Sequence, residues 1–184
     1  PSRYRWIIDP IDGTRAFMMG LPTWGTLIGL ADGARPLLGI MNQPFTGERY
    51  WSERDHSMLR SPHGEQRLAT RACGSFDDAI LAATSPTIFK TEATWNRFLA
   101  VSHRCRMTRF GGDCYAYCML AAGFVDLVVE AGLKPYDVVA LVPIIEGAGG
   151  RITTWEGGAA HHGGRILACG DPALHAELLA MLAG

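Results

Sequence analysis

Residues 7–17 read IIDPIDGTRAF, which sets two carboxylates, a proline, a glycine and a hydroxyl directly behind an apolar run. Pro10 has no amide hydrogen and a fixed φ, so the chain is expected to leave its sheet between Asp9 and Asp12. Two carboxylates on such a turn can converge on one cation or on two neighbouring ones, and their hard oxygens suit Mg²⁺. Gly13 lets the backbone approach a ligand closely. The amides of Gly13 and Thr14 could face a phosphate if a helical turn begins there, and the Thr14 hydroxyl could orient a water. The plainer alternative is a polar turn at Asp12-Gly13 with Asp9 as a local cap. A calcium loop does not fit, because Gly20 falls where its closing glutamate should stand.

Two carboxylates rarely suffice for metal-assisted phosphoryl transfer, so further acids must come from elsewhere in the chain. Asp137 follows LKPY just inside an expected helix start, where a carboxylate can point out of the helix end toward a shared cleft; the alternative is an ordinary charge favourable to the helix dipole. Glu130 ends an apolar strand, a position where sites gather in α/β folds. Asp113 follows two glycines at another expected helix start. Either acid could meet a cationic substrate group, or serve only as a cap or ion-pair member.

The elements that must position these acids fall into two groups. The first third reads as strands in RYRWIID, WGTLIGLADG, ARPLLGIMNQP and ERYWSERD, with turns at Asp32-Gly33 and over residues 44–47. An antiparallel-sheet lobe over residues 1–75 is expected, carrying the DPIDGT motif. From about residue 76 short apolar strands alternate with helical stretches, which predicts an α/β lobe over 76–184. Its strands are ILAAT, VDLVVE and RILACG. Its helices are TEATWNRFLAVSH, GDCYAYCMLAAG capped by Asp113 and stopped at Gly123, KPYDVVALVPIIEGAGG, and DPALHAELLAMLAG. The third of these is expected as one helix opened by Pro135, kinked at Pro143 and ended at Gly147. No linker separates the lobes, so they are expected to pack closely.

Composition narrows the partners. With 17 Lys and Arg against 18 Asp and Glu over 184 residues, the chain has no general attraction for nucleic acid or anionic membrane. No apolar run approaches the roughly 18 residues of a membrane span. Five cysteines without a CxxC pair argue against a disulfide framework or a zinc site, which predicts a reducing cytoplasm and buried thiols at Cys114 and Cys118. No GxSxG elbow is present, so a covalent serine route has no support. His161 and His162 lie in a glycine-rich loop and read as exposed; Glu48, Glu53 and Glu65 fall among polar strand and turn residues and read as solvated.

WIIDPIDGTRAF with PTWGTLIGL resembles the first signature of the inositol monophosphatase family of Mg²⁺-dependent phosphatases, and KPYDVVALVPIIEGAGG resembles its second. GTRAF, FGGDCYAYCMLAAG and LKPYDVV, with Tyr136 where inositol phosphatases commonly have Trp, resemble the histidinol-phosphate phosphatase branch most. The resemblance implies an α+β, α/β layered α-β-α-β-α sandwich, here without its N-terminal helices, so apolar faces are expected to be left open. It implies two or three Mg²⁺ ions per site: Asp9 bridging two, the Ile11 carbonyl on the first, Asp12 and Asp137 on the second. Gly13 and Thr14 would take the phosphate, and Glu130, Asp113 and Arg15 would face the substrate. A family glutamate from a GEE-like segment would precede Pro1, leaving this chain short of one metal ligand. Expected partners are a small phosphate monoester and a second copy in a homodimer. The rival readings are an inositol or broad sugar phosphatase, and a noncatalytic binding or assembly module.

Overall fold

The computed structural model describes residues 2–33 and 35–183. Ala34, at the start of the third expected strand, and Gly184, at the end of the last expected helix, lie outside the described residues. Strands β1 (Arg5–Asp12), β2 (Gly25–Ala31), β3 (Pro36–Gln43), β4 (Glu48–Ser52), β5 (Ser57–Ser61) and β6 (Gly64–Arg67) form one antiparallel meander in chain order, with helix α1 (Thr14–Met18) between β1 and β2. Alternation along these strands buries Leu27, Met41, Tyr50 and Leu59 on one face. The other face aligns Ile8, Ile28, Ile40 and Trp51 across four strands. It stays open, with Trp6 65% and Ile8 54% exposed, as expected of a sheet with one uncovered side.

The second sheet has the order β10-β11-β9-β7-β8. It is built from β7 (Ile80–Ala83), β8 (Met107–Phe110), β9 (Leu127–Leu133), β10 (Arg151–Thr154) and β11 (Gly164–Cys169). β7 runs parallel to β8 and β9, while β9, β11 and β10 pair antiparallel. Between the sheets lie α3 (Asp113–Ala121), α4 (Pro135–Val138) and α5 (Leu141–Gly147); α2 (Glu92–Ser102) and α6 (Pro172–Ala183) cover the far side. Strand β9 is buried on both faces: Val128 joins the core shared with the first sheet, and Leu127 and Val129 join the core under α2 and α6. The described layers are thus sheet, helices, sheet, helices, which is the expected sandwich.

Four details differ from the sequence reading. Pro10 does not end its strand; β1 runs to Asp12 with a register shift between Asp9 and Asp12. It is an edge strand, where a missing amide hydrogen costs no ladder bond. Asp113 is not a cap: Gly112 holds that position, with no side-chain cap bond. Strands β5, β6, β8 and β10 were not foreseen, being four or five residues long and largely polar or mixed. The single kinked helix is two helices, broken at Val139 and Ala140. Pro143 explains the break from three residues downstream, since it has no hydrogen for the Val139 carbonyl and its ring crowds that group.

That break rests on the first sheet through two glycines. Gly29 and Gly39 are direct cross-strand partners on β2 and β3. A methyl on Gly39 would stand 1.8 Å from the Ala140 carbonyl oxygen, and one on Gly29 would stand 2.7 Å from Val139 Cγ1. The helix pair therefore sits closer to the sheet than any side chain would permit. Gly39→Ala should destabilise the fold by about 3 kcal/mol, because backbone must yield. Gly29→Ala should cost less, since a side chain can turn, and Gly74→Ala, in open space, should be near neutral. Urea denaturation midpoints in that order check the close approach; equal midpoints for Gly39→Ala and Gly74→Ala would contradict it.

Candidate active site

The elements deliver three acids to one place. Asp9 and Asp12 come from the bulged end of β1, and Asp137 from the first turn of α4, set down on the sheet by the glycine contact. One oxygen from each carboxylate lies within 4.8 Å of the other two. Each acid also receives a backbone amide: Ile11 N donates to Asp9 Oδ1 at 3.0 Å, Cys114 N to Asp12 Oδ1 at 2.9 Å, and Lys134 N to Asp137 Oδ2 at 2.6 Å. These bonds fix the carboxylates without cancelling their charge. A trio of half-buried, hard-oxygen donors from separate elements fits a small divalent cation.

Gly13 caps α1 in the left-handed region at φ 80°, where a Cβ would meet the Trp24 backbone at 3.0 Å. Only glycine turns the chain here so tightly. The Thr14 hydroxyl donates to the Ile11 carbonyl at 3.0 Å, so the group expected to orient water and the carbonyl expected to bind a cation are neighbours bonded to each other.

Beside the trio is a pocket of about 160 Å³ lined by Asp12, Thr84, Asp113, Cys114, Tyr117, Glu130, Leu133 and Asp137. Glu130 is 2% exposed, accepting from Thr84 N at 2.7 Å and from the Tyr117 hydroxyl at 3.0 Å. Asp113, half-buried on the same wall, has φ 43°, uncommon for a residue with a Cβ. Burial raises the Asp113 carboxyl above its ordinary range, with Thr84 and the Arg15 charge opposing it; Arg15 is exposed and donates to Thr87 Oγ1 at 3.3 Å. The structure therefore gathers Asp12, Asp113, Glu130 and Asp137 in one hollow and sets Arg15 at its edge.

Sequence reasoning missed the Cys114 amide, Thr84, Tyr117 and Leu133 as parts of the site. The legible signal was Tyr117 itself: a tyrosine on an apolar buried helix needs a partner for its hydroxyl. Glu48 corrects another expectation. It is half-buried rather than solvated, and its Oε2 accepts from Thr46 Oγ1, Tyr50 and Tyr115. Glu53 and Glu65 are exposed, as read. The five cysteines are free, and Cys114 and Cys118 are buried. His161 is half-buried and His162 exposed in a single 3₁₀ turn.

A model of the inositol monophosphatase family matches residues 1–183. The chain belongs to the inositol monophosphatase family. It is 42% identical to the bifunctional phosphatase IMPL2, chloroplastic, of Arabidopsis thaliana, over 97% of this chain and 53% of that protein. A histidinol-phosphatase of Mycobacterium tuberculosis is 33% identical over 97% of this chain and 69% of its own length. The structure of an inositol monophosphatase from Zymomonas mobilis superposes with a TM-score of 0.93 at 42% identity, covering all of this chain and 72% of that one. The chain thus spans about half to two thirds of the length of these curated relatives. Among the described residues no helix is long and apolar enough to cross a membrane.

Electrostatics in the family site follow from burial. Desolvation pushes the Asp12 carboxyl up to about 7, the Cys114 bonds opposing it and the charges of Asp137 and Glu130 reinforcing it. Burial likewise raises Glu130 to about 7 against the donors from Thr84 and Tyr117, and raises Asp137, with Asp9 adding to the effect. Without a cation, the folded protein therefore retains protons that the unfolded chain releases between about pH 4 and 7. Stability should fall as pH rises through that window. In chelator, thermal midpoints should climb from pH 8 to pH 5.5, and Asp12→Asn should flatten the slope by up to about one proton. An Asp12→Asn slope matching wild type would refute the assignment.

Proposed function

We propose that the protein hydrolyses a small phosphate monoester with Mg²⁺, and that L-histidinol phosphate is its substrate. The observation that carries this reading is the convergence of Asp9, Asp12 and Asp137 beside a pocket whose remaining acids, Glu130 and Asp113, form no ion pair among the described residues.

Asp9, Asp12, Asp137 and the Ile11 carbonyl would hold the metal, which when bound supplies positive charge to the phosphate and lowers the pKa of water. The chain's own groups do the rest. Thr14 donates its hydroxyl hydrogen bond to the Ile11 carbonyl, which leaves its oxygen lone pairs free to accept from a water and would align it for attack on phosphorus. The Gly13 and Thr14 amides at the start of α1 would take phosphoryl oxygens. As the water oxygen bonds to phosphorus, the ester P–O bond opens and the alcohol leaves with a proton. Glu130 and Asp113 would meet the leaving alcohol's ammonium, with Arg15 at the rim.

A second reading has specific support: an inositol monophosphatase structure is 42% identical and superposes on all of this chain with 72% of its own. Magnitudes separate the two. A bond between Glu130 and an ammonium is charge-assisted and worth about 1.5–3 kcal/mol, whereas a bond to an inositol hydroxyl is nearer 1 kcal/mol. The reducing environment implied by five free cysteines supports a cytoplasmic or comparable location. Exposed Phe17, Met18, Met19 and Leu21 around α1 support self-association as a homodimer.

Phosphate release from histidinol phosphate should require Mg²⁺ and drop on the order of 100-fold in Asp137→Asn. Glu130→Gln should cost about 10- to 100-fold in kcat/KM on histidinol phosphate and less than about tenfold on inositol 1-phosphate. Equal losses would favour the inositol reading, and no release from either ester would favour a noncatalytic module.

A further inference from the structure

α3 is tied to acids on three strands. Its second residue, Cys114, gives its amide to Asp12 at the end of β1. Its third, Tyr115, gives its hydroxyl to Glu48 Oε2 on β4 at 2.7 Å. Its fifth, Tyr117, gives its hydroxyl to Glu130 on β9. The helix has no side-chain cap of its own, and its first residue is held at φ 43°. Core packing of Ala116, Cys118, Leu120 and Ala121 seats the body of α3, and the tyrosine and amide bonds add directional ties at its first turns.

Of the three acids only Glu48 lies outside the site. Among the described residues it has no cationic partner at bonding distance, yet its Oε2 receives Tyr115, Thr46 at 3.0 Å and Tyr50 at 3.2 Å. Hydroxyl bonds to a carboxylate are about twice as strong as neutral ones. The Tyr50 ring is fully buried and meets the Tyr115 ring edge-on at 6.2 Å, so the acceptor is itself fixed from beneath. Tyr115 adjoins Cys114 in the chain, so the bond that anchors its ring bears on the same helix turn that carries the Cys114 amide.

We propose that Glu48 and Tyr115 are positioning residues for the metal site, acting at a distance by holding α3 so that the Cys114 amide stays on Asp12. The inference rests on the reading of Asp12 as a cation ligand. It adds a clamp on the ligand's far side, of the outer-shell kind whose loss costs metal sites about 10- to 100-fold in affinity.

Two measurements on the metal-free and Mn²⁺-titrated protein test it. Tyr115→Phe keeps the ring and removes the bond; the Cys114 amide should then exchange its hydrogen about tenfold faster while core amides such as Val128 keep their rates, and Mn²⁺ should bind about tenfold more weakly. Glu48→Gln retains one acceptor oxygen and should recover most of both properties. Thr46→Ala removes a donor from the same oxygen without touching α3, and should leave Cys114 exchange within about twofold of wild type. Unchanged exchange in Tyr115→Phe would overturn the proposal, and so would equal acceleration in Thr46→Ala. Should wild type fail to bind Mn²⁺, the metal reading falls, while the exchange rates still decide whether the clamp exists.

Discussion

The site depends on one close approach: the backbone at Val139 and Ala140 lying against Gly29 and Gly39. Helices normally stand off a sheet by the depth of the intervening side chains, but here a paired glycine gap removes that layer at one point. Pro143 makes the same point the end of α4, because the helix cannot continue its bonding through Val139. The consequence is translational. Asp137, two residues before the break, is carried down to the level of β1, within reach of Asp9 and Asp12. Remote positions in the chain become one donor set through a contact that contains no functional group at all.

Bringing three acids together has a cost, and the local backbone bears part of it. Each carboxylate takes one amide hydrogen, from Ile11, Cys114 or Lys134. The amides orient the oxygens, yet burial still raises Asp12 to about 7. A group with that affinity for a proton makes proton and cation rivals, since both compete for the same lone pairs. The left-handed Asp113 belongs to this arrangement. Its conformation costs on the order of 1 kcal/mol, and it stands directly before the amide that bonds Asp12.

What the sequence disclosed follows what each signal measures. Alternating burial goes with β2 and β3, where one sheet face is covered, whereas continuous apolar runs mark β7, β9 and β11, which are covered on both faces. β6 and β8 escaped notice because their four residues are held by ladder bonds and expose most side chains, leaving no apolar pattern to read. Asp9, Asp12, Asp137 and Glu130 were legible as acids at element ends. The partners of Asp12 and Glu130 were not, since the Cys114 and Thr84 bonds use backbone amides, which every residue carries and no sequence distinguishes. The misreading of Glu48 has the same origin. Its neighbours look polar, but the hydroxyl that buries it arrives from Tyr115, far along the chain.

The two sheets divide the chemistry between them. Asp9 and Asp12 belong to the first sheet, and α4 places Asp137 against it; Glu130 belongs to the second sheet, and α3 bonds to acids on both. Under the proposed function, phosphorus would be handled by the first sheet and the alcohol recognised by the second. The demands on the two halves differ. Metal-assisted attack tolerates little displacement of its ligands, whereas a pocket wall can exchange one side chain for another provided its buried carboxylate keeps two donors. A fold built this way can hold its phosphoryl chemistry constant while its alcohol pocket changes. Under the proposed function, the residues that decide the substrate would lie on β9 and the first turn of α3 rather than in the acidic trio.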